Sequence, residues 1–278
     1  MPPSPRLLAL QDALGDRFVL ERELGRGGTG AVWLARDLRL DRPVALKILH
    51  DDTGDAAARE RLLREARTAA RLAHPHIVPI YGIEERGALI VLVMGYVDGE
   101  TLGARVQRRG PLAPDQAERL VREVGWALAY AHSCGVLHRD LTAANILLEH
   151  GTGRALLVDF GLAEVIADET GTAHERLGTP GYVAPEVIRG EPAVPASDLY
   201  GLGVVAWLAL TGTAPFAGAT TNELLAKHLV QPVPPLPTVA RGASRRLVEA
   251  IRACLAKQVD ERPADVAALL ARLDRAAP

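Results

Sequence analysis

The sequence predicts an α+β chain in two unequal parts: a small antiparallel sheet with one main helix at 17–94 and a larger, mainly helical part at 95–278, after an N-terminal extension at 1–16. Three observations carry this. Alternation over Phe18–Asp37 and apolar runs at Pro43–Leu49 and Leu89–Met94 read as strands. From Asp115 onward the apolar period becomes helical, as in Leu224–Leu229, Arg245–Leu255 and Pro263–Leu273. A chain of 278 residues can bury one large or two modest cores, which admits such a division.

Taken in order, residues 1–16 hold prolines and one short apolar patch, without the apolar core and cleavage site of a signal peptide. The stretch FVLERELGRGGTGAVWLARD then reads as two strands joined by a glycine-rich turn. Gly25, Gly27, Gly28 and Gly30 remove side chains where a backbone must lie close over phosphates. Lys47 is a charge inside the apolar strand PVALKIL, which is costly unless it is paired. A partner is available in the next helix, expected from Ala56 to Ala73, where Glu65 projects near the apolar face made by Leu62, Leu63, Ala66, Ala69 and Ala70. Ile77–Ile80 and Leu89–Met94 complete a predicted five-stranded sheet.

Asp115–Ser133 has a Pro-Asp start and a helical apolar period, and it delivers the chain to a polar loop. In VLHRDLTAANILLEHGTGRALLVDFG, that loop runs into a short apolar strand, His150–Gly153 supply a turn, and Ala155–Val158 read as the returning strand. Such a hairpin brings Asn145 and Asp159, just outside its two ends, near each other. An amide and a carboxylate offer oxygen ligands only, which suits a hard cation such as magnesium. Ala163–Leu177 is polar with no apolar period. The longest apolar run, Leu199–Leu210, has 12 residues, too short to cross a bilayer, and is expected to be a buried helix.

His138-Arg139-Asp140, with Asn145 five positions after the aspartate, followed by Asp159-Phe160-Gly161, resembles the catalytic and metal-binding loops of protein kinases, here of the eukaryotic-like bacterial serine/threonine type. The resemblance covers roughly 17–275 and implies the bilobal protein kinase fold. It also implies ATP and Mg2+ as cofactors, with the metal on Asn145 and Asp159. Lys47 would orient the phosphates with Glu65 as its partner, and Asp140 would position a substrate hydroxyl and accept its proton. Met94-Gly95-Tyr96-Val97 resembles the hinge whose backbone meets adenine, with Met94 as gatekeeper; Val32, Ala45 and Leu147 would sandwich the ring. Gly95 departs from the family, which commonly has glutamate there. Ala163–Leu177 resembles an activation segment ending in the substrate-docking loop Gly178–Tyr182 and Ala184-Pro185-Glu186. The same resemblance makes Thr179 a hydroxyl that bonds to the catalytic aspartate, Asp198 an acceptor for the catalytic-loop backbone, and Arg262 the partner of Glu186. It makes Thr170 and Thr172 candidate phosphate acceptors that would pair with Arg139.

One position departs more seriously. The serine/threonine branch has lysine two residues after the catalytic aspartate, where this chain has Thr142, and the arginine of many tyrosine kinases is Ala144 here. Two functions follow: a protein kinase acting on serine and threonine, or a nucleotide-binding pseudokinase serving as a signalling scaffold. The completeness of Lys47, Glu65, Asp140, Asn145 and Asp159 favours the kinase, and the docking loop favours a protein substrate over a small molecule. The sequence leaves the oligomeric state open. Net charge −2 and a pI near 6.5 give no basic field for nucleic acid or an anionic membrane. Cys134 and Cys254 form no disulfide framework or metal motif, which suits a reducing cytoplasm, and no membrane anchor is expected in this chain.

Overall fold

The computed structural model describes residues 5–15, 17–27, 30–50, 56–87, 89–160, 179–235, 240 and 242–274. They fall into two compact units, Met1–Ala73 with Val78–Val97, and His74–Ile77 with Asp98–Pro278.

The first unit is built on a five-stranded sheet of β1 (Phe18–Gly27), β2 (Gly30–Asp37), β3 (Arg42–His50), β4 (Ile80–Arg86) and β5 (Leu89–Gly95) in the order β1-β2-β3-β5-β4. Every neighbouring pair is antiparallel. Alternating side chains of β2, β3 and β5 bury Ala35, Val44, Leu46, Ile48, Val91 and Val93 in one cluster with Phe18. Leu14 joins that cluster from a helix, α1 (Pro5–Leu14), which also bonds to β1 through Gln11: its Nε2 donates to the Phe18 carbonyl at 2.8 Å and its Oε1 accepts from Leu20 N at 2.9 Å. Within the stretch read as an extension, Gln11 and Leu14 thus pack on the sheet of the first unit. The second helix, α2, spans Ala56–Ala69 and stops short of the predicted Ala73, its last turn tightened by Arg71 N on Thr68 O at 3.2 Å and Leu72 N on Ala69 O at 3.1 Å.

The strand expected at Ile77–Ile80 is displaced. Pro79 has no N–H for a ladder, and β4 begins only at Ile80. Ile77 instead bridges Leu157 in the second unit, where His76 O accepts from Leu157 N at 2.9 Å and His76 Nδ1 lies 2.8 Å from Ala155 O. At the other boundary, Gly95 stays in the sheet, opposite Val44 and donating to Pro79 O at 2.9 Å, so the first unit runs to Val97 rather than 94. The same packing accounts for the glycine: a Cβ at Gly95 would meet Pro79 at 3.2 Å and the Tyr81 hydroxyl at 3.3 Å.

The second unit carries a three-stranded sheet, β6 (Gly99–Thr101), β7 (Ile146–Glu149) and β8 (Ala155–Leu157), and the helices α3 (Leu102–Arg109), α4 (Pro114–Ser133), α5 (Pro185–Ile188), α6 (Pro195–Thr211), α7 (Thr221–Val230), α8 (Arg245–Cys254) and α9 (Val266–Asp274). Helix α6 is apolar on all sides and almost wholly buried, with α4 and α8 packed on it. Its Gly201 lets the loop before β7 approach closely, since a Cβ there would meet the Leu141 Cβ and carbonyl oxygen, each at 3.2 Å. Among the described residues no helix is long and apolar enough to cross a membrane.

Candidate active site

In the second unit the loop between α4 and β7 is hung on one buried carboxylate. Asp198, in the first turn of α6, is 3% exposed. Its Oδ2 accepts from His138 N at 2.9 Å and its Oδ1 from Arg139 N at 2.9 Å. His132 Nε2, in the last turn of α4, stands 2.7 Å from Oδ2. These bonds hold Arg139 at φ 66°, a left-handed conformation that a non-glycine residue adopts only when its surroundings enforce it. The buried His138 ring reaches Val158 O at 3.0 Å and packs 4.7 Å from the Phe160 ring, which joins the loop to the chain leaving β8.

That support places Asp140. Asn145 Nδ2 donates to the Asp140 carbonyl at 2.8 Å and to its Oδ2 at 3.0 Å, while Thr179 Oγ1 donates to Oδ1 at 2.9 Å. The carboxylate is therefore fixed from both sides, at the end of a loop whose Leu141, Thr142 and Ala143 are buried. Asn145 O accepts from Val158 N at 3.0 Å, so the hairpin sets Asp159 beside Asn145 in the chain path, and Asp159 has φ 66°. An amide oxygen and a carboxylate, on residues that adjoin in the chain path, are donor types that fit a hard divalent cation.

In the first unit Lys47 is 2% exposed, in register with Val32 on β2 and Leu92 on β5. Ala45 pairs with Met94, Gly25 with Val32, and Gly27 with Gly30, so the nucleotide-binding candidates of β1, β2, β3 and β5 share one part of the sheet. Tyr96 and Val97 follow β5 half-buried; Leu147 is half-buried on β7 in the second unit. Glu65 is half-buried on α2. Gly28, Gly161, Thr170, Thr172, Arg176 and Gly178 lie outside the described residues.

A family model for the protein kinase domain matches residues 18–272. The chain belongs to the protein kinase family. Its relatives include the serine/threonine-protein kinase PkaA of Streptomyces coelicolor, 38% identical over 266 residues that cover 90% of this chain and 48% of PkaA. The probable serine/threonine-protein kinase pknA2 of Bifidobacterium longum is 38% identical, covering 94% of this chain and 35% of that protein. The serine/threonine-protein kinase PknB of Mycobacterium leprae is 39% identical over 270 residues, 94% of this chain and 43% of PknB. This kinase domain thus spans about half or less of the length of these curated relatives.

A second buried charge fixes helix α5 of the kinase domain. Glu186 on α5 and Arg262 meet in a two-pronged ion pair, Nη2 to Oε2 at 2.7 Å and Nη1 to Oε1 at 2.8 Å, both side chains excluded from water. Arg262 Nη1 also donates to Ala196 O at 2.8 Å and its Nε to Ala256 O at 2.9 Å; Ser197 Oγ donates to Glu186 Oε1 at 2.6 Å. Burial opposes ionisation of Glu186, but the bonds from Arg262 and Ser197 hold its carboxyl below the usual value. Between this anchor and Asp140, burial raises the Tyr182 phenol, with a smaller push from the Asp140 charge. His132 and Ser197 escaped the sequence reading, because a histidine or serine on a helix carries no signal until its distant acceptor is known.

Proposed function

We propose that this kinase domain transfers the γ-phosphoryl group of ATP to serine and threonine hydroxyls of protein substrates. The observation that carries the reading is the Asp140 carboxylate held by Asn145 and Thr179 on a loop pinned by Asp198. So held, Asp140 would accept the proton of an incoming hydroxyl, and Thr179, at the start of the docking loop, would register the substrate against it. Lys47 would orient the phosphates, steadied by Glu65 when nucleotide is bound. Asn145 and Asp159 would hold magnesium, which when bound neutralises phosphate charge. Serine/threonine specificity is supported by the names of the relatives, a protein substrate by the docking loop, and a cytoplasmic setting by the need for ATP. The scaffold alternative gains no support from the three relatives described above, which carry kinase names.

Transfer from labelled ATP with magnesium to casein tests the reading: magnesium-dependent label on serine or threonine is expected. Thr142 sets the rate. It is 3% exposed and offers no cation at the position from which the family's lysine would meet the charge being transferred. Loss of one such donor costs ~10²–10³ in turnover, so a slow enzyme is expected. Thr142→Lys should raise turnover with little change in ATP affinity, its long stem carrying the ammonium out of the buried position. If wild type and Thr142→Lys both transfer no faster than Asp140→Asn while still binding ATP, the scaffold reading prevails.

Binding is checked separately by melting. ATP with magnesium should raise the melting temperature by mass action on the native state, and Lys47→Met or Asp159→Asn should shrink the rise. A wild-type protein whose melting temperature does not move at saturating ATP contradicts both readings.

A further inference from the structure

One buried histidine of the second unit takes no part in the site described so far. His228, on α7, is wholly excluded from water. Its Nδ1 lies 2.8 Å from the hydroxyl of Tyr200 on α6, a residue equally buried. Aromatic edges close around the ring, Phe216 with its centroid at 5.0 Å and Tyr200 at 5.7 Å. Lys257 covers the end of the helix: its Nζ donates to the His228 carbonyl at 2.7 Å and lies 4.0 Å over the Phe216 ring.

These neighbours decide which nitrogen carries the proton. Burial, helped by the Lys257 charge, keeps the ring neutral, its ionisation pulled down to about 4. Burial also holds Tyr200 as a phenol, with a proton to donate. With Nδ1 accepting from Tyr200, the one ring proton of neutral His228 sits on Nε2. Yet Nε2 is buried, and among the described residues no acceptor stands within hydrogen-bond geometry of it. A buried donor left unmet is costly, and packing alone gives no reason to keep one there. The group facing it belongs to the docking loop. Leu224, four residues before His228 on the same face of α7, comes within 3.9 Å of the position a Gly181 Cβ would take. The Gly181 backbone also favours a proton on the His228 ring, as a carbonyl does. Tyr182 N donates to Thr179 O at 2.9 Å, so Gly181 stands at the corner of the turn whose first residue bonds Asp140.

We propose that His228 is a positioning residue for the docking loop: its Nε2–H holds the Gly181 carbonyl and so fixes the turn that presents a protein substrate to Asp140. Tyr200 serves the same end from α6, since its hydroxyl directs the ring proton to Nε2. The inference rests on the protein-substrate reading above and adds to it the support of the loop from α7.

The test begins with the wild type, where nitrogen NMR of the His228 ring should place its proton on Nε2; a proton on Nδ1 overturns the proposal. Two amides then separate the two nitrogens. His228→Asn keeps an acceptor near the Nδ1 position and loses the donor at Nε2, while His228→Gln keeps the donor and loses the acceptor. In casein phosphorylation His228→Asn should raise KM for casein about five- to tenfold, the worth of one hydrogen bond, with a smaller change in kcat and the ATP-induced rise in melting temperature as in wild type. His228→Gln should stay within about twofold of wild type in KM. Backbone hydrogen exchange at Tyr182, followed without ATP or casein, should quicken by a similar factor in His228→Asn only. That measurement reads the loop whether or not phosphate is transferred: no transfer to casein with quickened exchange in His228→Asn alone removes the kinase reading and keeps the contact. Transfer with KM and exchange altered alike in both variants makes His228 a core residue only and overturns the proposal, as does a larger effect in His228→Gln than in His228→Asn.

Discussion

Asp140→Asn is expected to lower phosphate transfer by ~10²–10⁴, the usual contribution of a positioned general base. The substitution keeps the shape of the side chain and changes what it can do with a proton. Asn145 Nδ2 can still donate to an amide oxygen, and Asn145 still bonds the backbone carbonyl of residue 140 at 2.8 Å, so the loop keeps its course. The Thr179 hydroxyl, which now donates to Oδ1 at 2.9 Å, can rotate and accept instead, and only the long, exposed bond from Thr179 N to the same oxygen, 3.3 Å, is lost. The fold and the ATP-induced rise in melting temperature should therefore stay near wild type while transfer falls. Transfer by the variant within a few-fold of wild type would remove Asp140 from the chemistry. A lost melting response alongside lost transfer would show instead that residue 140 supports the nucleotide site.

Much of this arrangement was legible because the chemistry is local in sequence. Asp140 and Asn145 are close in the chain, and the hairpin that follows returns Asp159 beside Asn145 through the Val158 to Asn145 bond. The sheet was legible through alternation, and Lys47 stood out as a charge in an apolar strand. What was missed depends on partners far away in the chain. Helix α1 is short and begins with proline, and its place is fixed by Leu14 entering a core made by β2, β3 and β5. Helix α3 shows only Leu102 and Val106 as buried positions and starts from the Thr101 cap, whose hydroxyl accepts from Ala104 N at 3.1 Å. Strand β4 hid behind the charged run Glu84-Glu85-Arg86, because a strand with one face in water carries little apolar signal. Resemblance pointed to Asp198 as the acceptor for the catalytic loop, but the closing of that network by His132 from α4 appears only once the helices are packed.

Arg262→Ala is expected to cost the fold about 3–5 kcal/mol, the penalty for leaving one member of a buried ion pair without its partner. Glu186 would keep Ser197 as a donor but lose both prongs of the guanidinium, and Ala196 O and Ala256 O would each lose a bond. Arg262→Lys should recover little, since one ammonium cannot reproduce the planar fork that meets both carboxylate oxygens. Replacing the pair together, Arg262→Met with Glu186→Leu, should cost less than Arg262→Ala alone, because no charge is then stranded. The pH dependence has a definite sign. In the wild type the Glu186 carboxyl lies below its ordinary 4.5, so its contribution to stability is present above that pH and fades as the pH falls through the lowered value. In Arg262→Ala the same burial, now unopposed by the guanidinium, should raise the carboxyl instead and penalise the variant most at neutral pH. Urea unfolding of both proteins at pH 7 and near pH 4 decides it: the stability gap should narrow on acidification. A gap that is small at pH 7, or that keeps its size down to pH 4, would mean that the pair does not contribute to the stability of the fold as a buried ion pair.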